Sequence, residues 1–355
     1  MWNRLWRSSN SAVRPVIVAA AVFVMLLCPP LRGEGSAFCL WPSTPLSAEE
    51  AQQLPTFQSE KTVVYVVKQG DSLPELAQRF YGDPQKGWLI NQANDGVELL
   101  PGQVLVIPLE PSNLGGLQQE GYQLVPVLTY HHFSRQCKTA LCMPIDKFSD
   151  QMAFLKRQGY HTVSMKQVLR FLSYEEPLPP KAIAITIDDG YSSVYDLAYP
   201  VLQRLGFKAT LFIYTDFINS SSNALSWNQL KELAEAGFEI ESHTLSHADL
   251  TRKKPGESDA GYLARVRREL VESRRLIKKK VGQEAVWLAY PYGRFNDLVI
   301  TMAKQAGYRG GVSVMRGTNP FFADPFKVKR YQVFNSVSKQ SLLTMLKTFA
   351  RENLQ

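Results

Sequence analysis

The chain has 355 residues, of which 45% are hydrophobic and 20% charged, with 22 Gly and 21 Pro. This composition excludes an intrinsically disordered or fibrous chain, and the length favours one large core with a smaller module. The net charge of +8 is compatible with an acidic partner, such as a nucleic acid or an anionic envelope polymer, and does not choose between them.

Residues 1–39 have the pattern of an export signal. Arg4, Arg7 and Arg14 precede an apolar run at residues 16–28, which is short for a bilayer span but suits a signal-peptide core. The sequence predicts either a cleaved signal peptide or an uncleaved signal anchor. In both cases we expect the rest of the chain in the periplasm or cell envelope, with membrane contact only through this segment if it stays uncleaved.

Residues 40–61 are rich in Pro, Ser, Glu and Gln, which predicts a linker. A small module follows it. Strand patterns lie at residues 63–68 and 103–108, and helix patterns lie at 73–80 and 85–94. Gly70, Asp71 and Ser72 predict a turn followed by a helix cap.

This β-α-α-β unit, at residues 62–109, resembles a LysM domain. The resemblance rests on residues 65–73, 90–94 and 100–108. It implies binding of N-acetylglucosamine-containing glycans such as peptidoglycan, through two loops. The loop residues are Gly70, Asp71 and Ser72, and Leu100 and Pro101. A LysM fold without useful affinity is the alternative.

Residues 110–121 have a linker composition, and strand and helix patterns alternate through 122–355. The strand patterns lie at 124–130, 182–187, 209–214, 238–241, 286–290, 310–314 and 328–333, and the helix patterns at 148–158, 193–205, 227–236, 262–280 and 298–306. This alternation predicts an α/β fold with a parallel sheet, either a barrel or a doubly wound sheet. No phosphate-binding glycine fingerprint follows an early strand, which disfavours dinucleotide binding.

Cys137 and Cys142 flank four residues in a segment typical of a loop. Because an exported protein can keep such a pair oxidised, we predict a local disulfide. A metal site is the less favoured alternative.

Polar side chains follow four of the predicted strands, where the carboxyl ends of parallel strands meet. They are His131 and His132, Asp188 and Asp189, His243 and His247, and Tyr292. Four of the five histidines of the chain are in this set. We therefore expect one functional site there.

The residue types in this set suit metal-dependent hydrolysis. Two histidines four residues apart can face one metal if the backbone turns helically, and a carboxylate completes a three-ligand set with open coordination. A neighbouring aspartate can then accept a proton from water. Considered singly, the aspartates could form an ordinary turn and the histidines could be capping residues.

Residues 186–190 (TIDDG), 243–247 (HTLSH) and 289–293 (AYPYG) resemble the motifs of the polysaccharide deacetylases, the NodB-homology group or carbohydrate esterase family 4. The resemblance implies a distorted (β/α) barrel that holds one divalent cation, commonly zinc, and removes acetyl groups from N-acetylated sugars. By position it assigns Asp188 as general base and the backbone N–H of Tyr292 to the oxyanion. The metal ligands would be Asp189, His243 and His247.

Two departures from the family pattern bear on activity. Ala289 stands where an arginine usually orients the base, and no histidine follows His247 to act as the usual acid. The permuted poly-N-acetylglucosamine deacetylases take their acid from a Tyr-His segment at the start of the domain, which residues 130–133 resemble. This implies His131 as general acid, with His132 second. Arg330 could replace the missing arginine, or it could be an ordinary surface residue.

Together these features predict an exported, metal-dependent N-deacetylase of peptidoglycan or poly-N-acetylglucosamine. The alternatives are a non-catalytic glycan-binding envelope protein with a degenerate barrel and a sugar O-acetyl esterase. Since the excess positive charge lies in the export segment and the helix pattern at 262–280, we expect no nucleic-acid partner.

Overall fold

The computed structural model describes residues 57–96, 98–110 and 113–352. The predicted export segment and all but the last five residues of the linker at 40–61 lie outside the described residues. Within the described ranges, no helix combines the length and apolar character needed to cross a membrane.

The first unit is the predicted β-α-α-β module. Its elements are β1 (Phe57–Gln58), β2 (Thr62–Val66), α1 (Leu73–Tyr81), α2 (Gly87–Ala93) and β3 (Val104–Pro108). The strands form an antiparallel sheet in the order β1-β2-β3. Its core contains Tyr65, Leu76 and Ile90, which are at most 2% exposed.

The second helix of this module is shorter than predicted. The expected helix at 85–94 is divided into a 3-10 turn, Pro84–Lys86, and α2. The side chain of Asp83 accepts a hydrogen bond from the Gln85 N–H and so caps the turn, with Pro84 in its first position. Proline suits the start of a helix and not its interior, so the turn begins there.

The second unit alternates strands and helices. Its strands are β4 (Leu117–Gln118), β5 (Gly121–Val125), β6 (Val127–Tyr130), β7 (His132–Ser134), β8 (Cys142–Pro144), β9 (His161–Thr162), β10 (Ala182–Asp189), β11 (Thr210–Ile213), β12 (Glu239–Ser242), β13 (Trp287–Ala289), β14 (Gly310–Val312), β15 (Asn319–Pro320), β16 (Tyr331–Gln332) and β17 (Phe349–Arg351). Its helices are α3 (Ile145–Arg157), α4 (Met165–Leu172), α5 (Tyr199–Leu205), α6 (Trp227–Glu235), α7 (Asp259–Val281), α8 (Asp297–Gln305) and α9 (Lys339–Met345). Shorter helical turns are Val194–Ala198, Pro291–Gly293 and Pro325–Lys327.

The main sheet is parallel, with the order β14-β13-β12-β11-β10-β6-β16 and β9 beside β10. A closing segment at residues 328–332 joins its two ends: Val328 pairs with Val312 of β14, and β16 pairs with β6. The sheet therefore curls into a distorted (β/α) barrel. The predicted α/β class with a LysM module is confirmed, and the doubly wound alternative is wrong.

A proline divides the strand predicted at residues 124–130. Pro126 has no N–H to donate, and β5 and β6 lie on either side of it in different sheets. Strand β5 pairs antiparallel with β15 and β17, whereas β6 enters the barrel beside β10. The prediction of one continuous strand was therefore wrong.

Strand β10 lies in the middle of the barrel sheet and leads into the site. Its residues from Ala182 to Asp188 are all buried, as expected of a parallel strand covered on both faces. Polar residues begin where this strand reaches the mouth of the barrel, which we define as the carboxyl ends of the parallel strands.

Candidate active site

A buried ion pair occupies the centre of the mouth. Asp188 is 2% exposed and Arg330 is fully buried. The guanidinium donates through Nη1 to Asp188 Oδ1 at 2.8 Å and through Nη2 to Oδ2 at 2.7 Å. It also donates to the Ser313 carbonyl at 2.9 Å and to Thr186 Oγ1 at 3.1 Å. Arg330 belongs to the closing segment, and these hydrogen bonds hold its guanidinium in one orientation.

This pairing determines the state of the Asp188 carboxylate. Burial alone would raise its pKa, but the charge and hydrogen bonds of Arg330 hold the pKa of Asp188 below its usual range. The carboxylate is therefore ionised and held in one orientation. Ala289 leaves the usual arginine position without a cation, and Arg330 reaches the same carboxylate from another strand end.

Asp189, His243 and His247 bring three donor atoms together within 4.8 Å of one another. Asp189 Oδ1 lies 3.8 Å from His243 Nε2 and 4.0 Å from His247 Nε2. Two imidazoles and one carboxylate are a donor set typical of catalytic zinc. The residues present therefore fit a divalent cation.

The surroundings of His243 favour ligation through Nε2. Its Nδ1 lies 2.8 Å from the carbonyl oxygen of Ala289, so the proton belongs on Nδ1 and the lone pair on Nε2. Burial lowers the pKa of His243 to about 4, which keeps the ring neutral. Burial and the adjacent Asp188 raise the pKa of Asp189 to about 7, and a bound cation would oppose that shift.

The premise that a helical turn brings the two histidines together was wrong. Residues 243–247 form an irregular loop, with left-handed backbone at Thr244 (φ 73°) and His247 (φ 61°). Glu269 of α7 fixes this loop by accepting from the Leu245 and Ser246 N–H groups at 3.0 and 2.9 Å. A buried carboxylate, and not helical periodicity, therefore sets the spacing.

Four of the eight non-glycine residues with positive φ in the described part of the chain lie at the mouth. Besides the two residues of that loop, Asp189 has φ 80° and Tyr292 has φ 61°. Such conformations cost non-glycine residues about 1–3 kcal/mol each and persist where the surrounding structure imposes them. The strand ends therefore turn sharply so that their side chains face one point.

Tyr292, predicted to supply an oxyanion N–H, lies in the turn Pro291–Gly293. Its side chain is 60% exposed, and its ring centre is 4.7 Å from that of His247. Gly293 has φ 68°, and a Cβ there would collide with Val314. The sharp turn thus brings the Tyr292 ring next to His247, one of the three donors.

The two consecutive histidines face different surroundings. Burial lowers the pKa of His131, an effect that the Asp188 carboxylate opposes and Arg330 reinforces. His132 belongs to β7, and its ring centre lies 5.0 Å from that of Tyr191. Of the two, His131 is the one under the influence of the central ion pair.

The predicted glycan loops of the first unit lie at one end of its sheet. The Gly102 N–H donates to the Val67 carbonyl at 2.8 Å, which holds the two loops close together. Asp71 accepts from the Tyr65 hydroxyl at 2.8 Å and from the Lys68 N–H at 2.7 Å. The Asp71 carboxylate therefore stabilises the loop through these two hydrogen bonds.

The remaining loop residues differ in how they are used. Ser72 caps α1 by accepting from the Glu75 N–H. Gly70 is exposed with φ 92°, and Leu100 is 58% exposed next to the exposed Pro101. Backbone groups and the Leu100 side chain are thus the surface that these loops offer.

The sulfur atoms of Cys137 and Cys142 are joined in a disulfide. Cys142 lies in β8, which pairs in parallel with β7 so that Cys142 is opposite His132. The disulfide loop is therefore tied directly to the histidine segment.

Sequence reasoning missed Glu269 and the aromatic residues around the mouth. The signal for Glu269 was a carboxylate between Val266 and Leu270 on the buried side of a helix pattern. Tyr191 and Tyr214 gave no such signal, because half-exposed aromatic residues are common in loops.

Each of the two units matches a family model. The polysaccharide deacetylase model matches residues 175–311, and the LysM domain model matches residues 65–108. The first match contains all three motif segments described above.

Two curated relatives are similar to about half of this chain. A Bacillus subtilis protein, YxkH, named as a candidate polysaccharide deacetylase, is 33% identical over 193 residues, 54% of this chain. A Staphylococcus epidermidis protein named poly-beta-1,6-N-acetyl-D-glucosamine N-deacetylase is 29% identical over 196 residues, 53% of this chain. The chain spans 65% and 67% of the lengths of these relatives.

A similar solved structure is that of the Streptococcus pyogenes deacetylase PplD in complex with acetate. It is 27% identical, has a TM-score of 0.58, and covers 63% of this chain and 98% of its own. The barrel described here is thus shared with a deacetylase of known structure.

Proposed function

We propose that this chain, which contains a polysaccharide deacetylase domain and a LysM domain, is an exported, metal-dependent N-deacetylase of an envelope glycan. Its substrate would be N-acetylglucosamine units of poly-β-1,6-N-acetylglucosamine or of peptidoglycan. The observation that carries the proposal is the buried Asp188–Arg330 pair beside the Asp189, His243 and His247 donor set.

Two further observations support the finer parts of this proposal. The name of the S. epidermidis relative points to poly-N-acetylglucosamine, and the LysM domain suits a wall glycan as the anchoring surface. The disulfide between Cys137 and Cys142 suits an oxidising compartment outside the cytoplasm.

In the proposed reaction, Asp188 accepts a proton from the attacking water, and Arg330 keeps the carboxylate ionised and aimed until it does so. The Tyr292 N–H donates to the acetyl oxygen as negative charge develops there. When bound by the three donors, a divalent cation supplies Lewis-acid polarisation of the acetyl carbonyl.

His131 then gives a proton to the departing amine. The proton comes from the imidazolium form of His131. Burial lowers the pKa of His131, so this form is less populated near neutral pH but is a stronger proton donor when present. The C–N bond breaks, and acetate and a free glucosamine unit are the products.

The test is acetate release by the purified protein from poly-β-1,6-N-acetylglucosamine, peptidoglycan and O-acetylated xylan, with and without a chelator. We expect release from one or both N-acetylated polymers, loss with the chelator and recovery with added zinc. Release from xylan alone would favour an O-acetyl esterase. No release from any polymer, with zinc bound, would contradict the proposal.

Asp188→Asn tests the proposed base. We expect acetate release to fall by about a hundred- to ten-thousandfold, with zinc content unchanged by elemental measurement. Asp196→Asn, at an exposed position outside the mouth, is the matched control. Wild-type release by Asp188→Asn would remove Asp188 from its role.

A further inference from the structure

A cavity of about 400 Å³ lies beside the mouth, between the disulfide loop and the segment that follows β10. His132 and Tyr191 line it on the side of the mouth, and Ser134, Lys138 and Asn223 line it elsewhere. Its volume is within the range of small-molecule sites. Of the residues named above as candidates for catalysis or metal binding, only His132, the second candidate for the acid, lines it, and the reaction described with His131 as the acid leaves the cavity unused.

A row of rings connects this cavity to the metal donors. Successive ring centres are 5.3 Å apart from His247 to Tyr214, 5.1 Å from Tyr214 to Phe217, 5.2 Å from Phe217 to Tyr191 and 5.0 Å from Tyr191 to His132. All five rings are partly exposed. The aromatic faces of Tyr214, Phe217 and Tyr191 between the two imidazoles suit the C–H faces of sugars, so a glycan chain can follow this row from the mouth into the cavity.

The outer wall of the cavity is held in place. The disulfide closes the loop at residues 137–142, and Cys142 pairs with His132 between β8 and β7. Asn335 donates its N–H to the Ala140 carbonyl at 3.1 Å and its side-chain amide to the Thr139 carbonyl at 2.9 Å. A wall fixed before binding loses little conformational freedom when a ligand arrives.

Polar groups remain free to bind a ligand there. The side chains of Gln136, Lys138 and Asn223 line the cavity and form no hydrogen bond or ion pair with any residue that the structure describes. An amide, an ammonium and a second amide can satisfy the hydroxyl and acetamide groups of a sugar.

The charge of the lining is one-sided. No Asp or Glu is among the described residues that line the cavity, whereas Lys138 places an ammonium there. A glucosamine unit is itself cationic at neutral pH, and like charges brought together select against binding. An N-acetylglucosamine unit is neutral and meets no such penalty.

We propose that this cavity is a sugar subsite for a neighbouring unit of the glycan chain, and that Lys138 makes it select an N-acetylated unit over a deacetylated one. This rests on the proposed deacetylase function. Its consequence is a spaced pattern of deacetylation, because each product amine weakens the binding of the chain segment that contains it.

The test compares kcat/KM for acetate release from a dimer and a pentamer of β-1,6-linked N-acetylglucosamine. We expect the wild-type protein to prefer the pentamer, and Asn223→Ala to lower the pentamer-to-dimer ratio about fivefold, the value of one lost hydrogen bond. Lys339→Ala, on α9 and outside the cavity, is the control and should keep the wild-type ratio. A wild-type ratio in Asn223→Ala would overturn the subsite.

The proposed selection of acetylated over deacetylated units by Lys138 is tested with a separate variant. Wild-type protein should act more slowly on pentamers that already carry free amines than on fully acetylated ones, and Lys138→Glu should reduce or reverse that preference. Unchanged discrimination in Lys138→Glu would overturn the role of Lys138.

The subsite can be judged apart from the proposed function. If the wild-type protein releases no acetate from either oligomer, the proposed function fails for this substrate. Hydrogen exchange with and without the pentamer then decides the subsite: slower exchange at residues 135–142 supports it, and unchanged exchange contradicts it.

Discussion

The LysM loops and the mouth of the barrel both collect polar residues, but they hold them by different means. Asp71 receives its hydrogen bonds from Tyr65 and Lys68, at most six residues away in sequence. Asp188 receives its own from Arg330, 142 residues away. The first region is assembled from its own short segment, whereas the second exists only when the whole barrel has closed.

The difference extends to the backbone. The mouth has left-handed conformations at Asp189, Thr244, His247 and Tyr292, whereas the first LysM loop uses Gly70 for that purpose. Strain at a non-glycine residue requires support from elsewhere in the fold. We therefore expect the mouth to be sensitive to distant substitutions and the LysM loops to be sensitive to nearby ones.

The largest effect should come from Arg330, the most distant support. Arg330→Met should destabilise the barrel by about 3–5 kcal/mol, because it leaves a buried carboxylate unpaired. Acetate release should nearly vanish even well below the unfolding temperature. Arg330→Lys restores the charge without the two-point geometry and should recover stability more than activity.

Thermal unfolding and acetate release measured on the same samples check this. Arg316→Met, at an exposed position, is the control and should behave like wild type. If Arg330→Met kept its activity and stability, the contrast between the two regions would not hold.

Glu269 supports the loop at residues 243–247 from 24 residues away in sequence, a separation between those of the two preceding cases. Glu269→Gln removes one acceptor from the loop that carries the two histidines, and zinc affinity should fall by about 10–100-fold. Activity should recover at saturating zinc. The measurement is zinc competition with a chelator, and Glu272→Gln, nearby on α7 and paired with Arg275, is the control. Unaltered zinc affinity would mean that the loop holds its shape without Glu269.

In the LysM unit, the loss of a supporting hydrogen bond should destabilise only that unit. Asp71→Ala leaves the buried Tyr65 hydroxyl without its acceptor and should destabilise this unit by about 1–3 kcal/mol. Amide exchange should speed up in β2 and β3 but not in β10 to β12. Glu98→Ala, at an exposed position, is the control. Faster exchange throughout the barrel would show that the two regions are not independent.

The smallest effect is expected from the partly buried ion pair of Glu257 and Arg265, which lies outside both regions. Hydrogen bonds from Arg265 and the Lys254 N–H lower the pKa of Glu257 to about 2 from an ordinary value of 4.5. Its stabilising contribution is therefore complete above pH 4.5 and is lost as the pH falls towards 2.

Glu257→Gln should lower the melting temperature slightly at pH 7, and the difference from wild type should shrink only below pH 4.5. Thermal unfolding between pH 7 and pH 3 measures it, with Glu235→Gln as control. A difference that grows as the pH falls would reverse the assigned direction of the shift.

The sequence predicted features that depend on short segments. Alternating patterns predicted most barrel strands, and the motif segments predicted that Asp188, Asp189, His243 and His247 lie together. The division at Pro126 was missed because an apolar run hides the exchange of partners between β5 and β6. The irregular loop at 243–247 was missed because its support, Glu269, comes from a later helix.

Arg330 marks the limit of that reasoning. From its place in a strand pattern, Arg330 was as compatible with an exposed surface position as with a role beside Asp188. Only the register of the closing segment, with Val328 beside Val312 and β16 beside β6, shows that it is buried against Asp188. Such a register depends on the curl of the whole sheet, which no local pattern specifies.

The position of the closing segment late in the sequence also determines when the site can form during folding. During synthesis Asp188 is in place long before Arg330 has been added, and a chain stopped short of residue 328 has no cation for its central carboxylate. Completion of the barrel and completion of the site are thus the same event. A chain that lacks residues 328–332 can form neither the closing strand pairs nor the Asp188–Arg330 ion pair, so closure of the barrel is a precondition for the site.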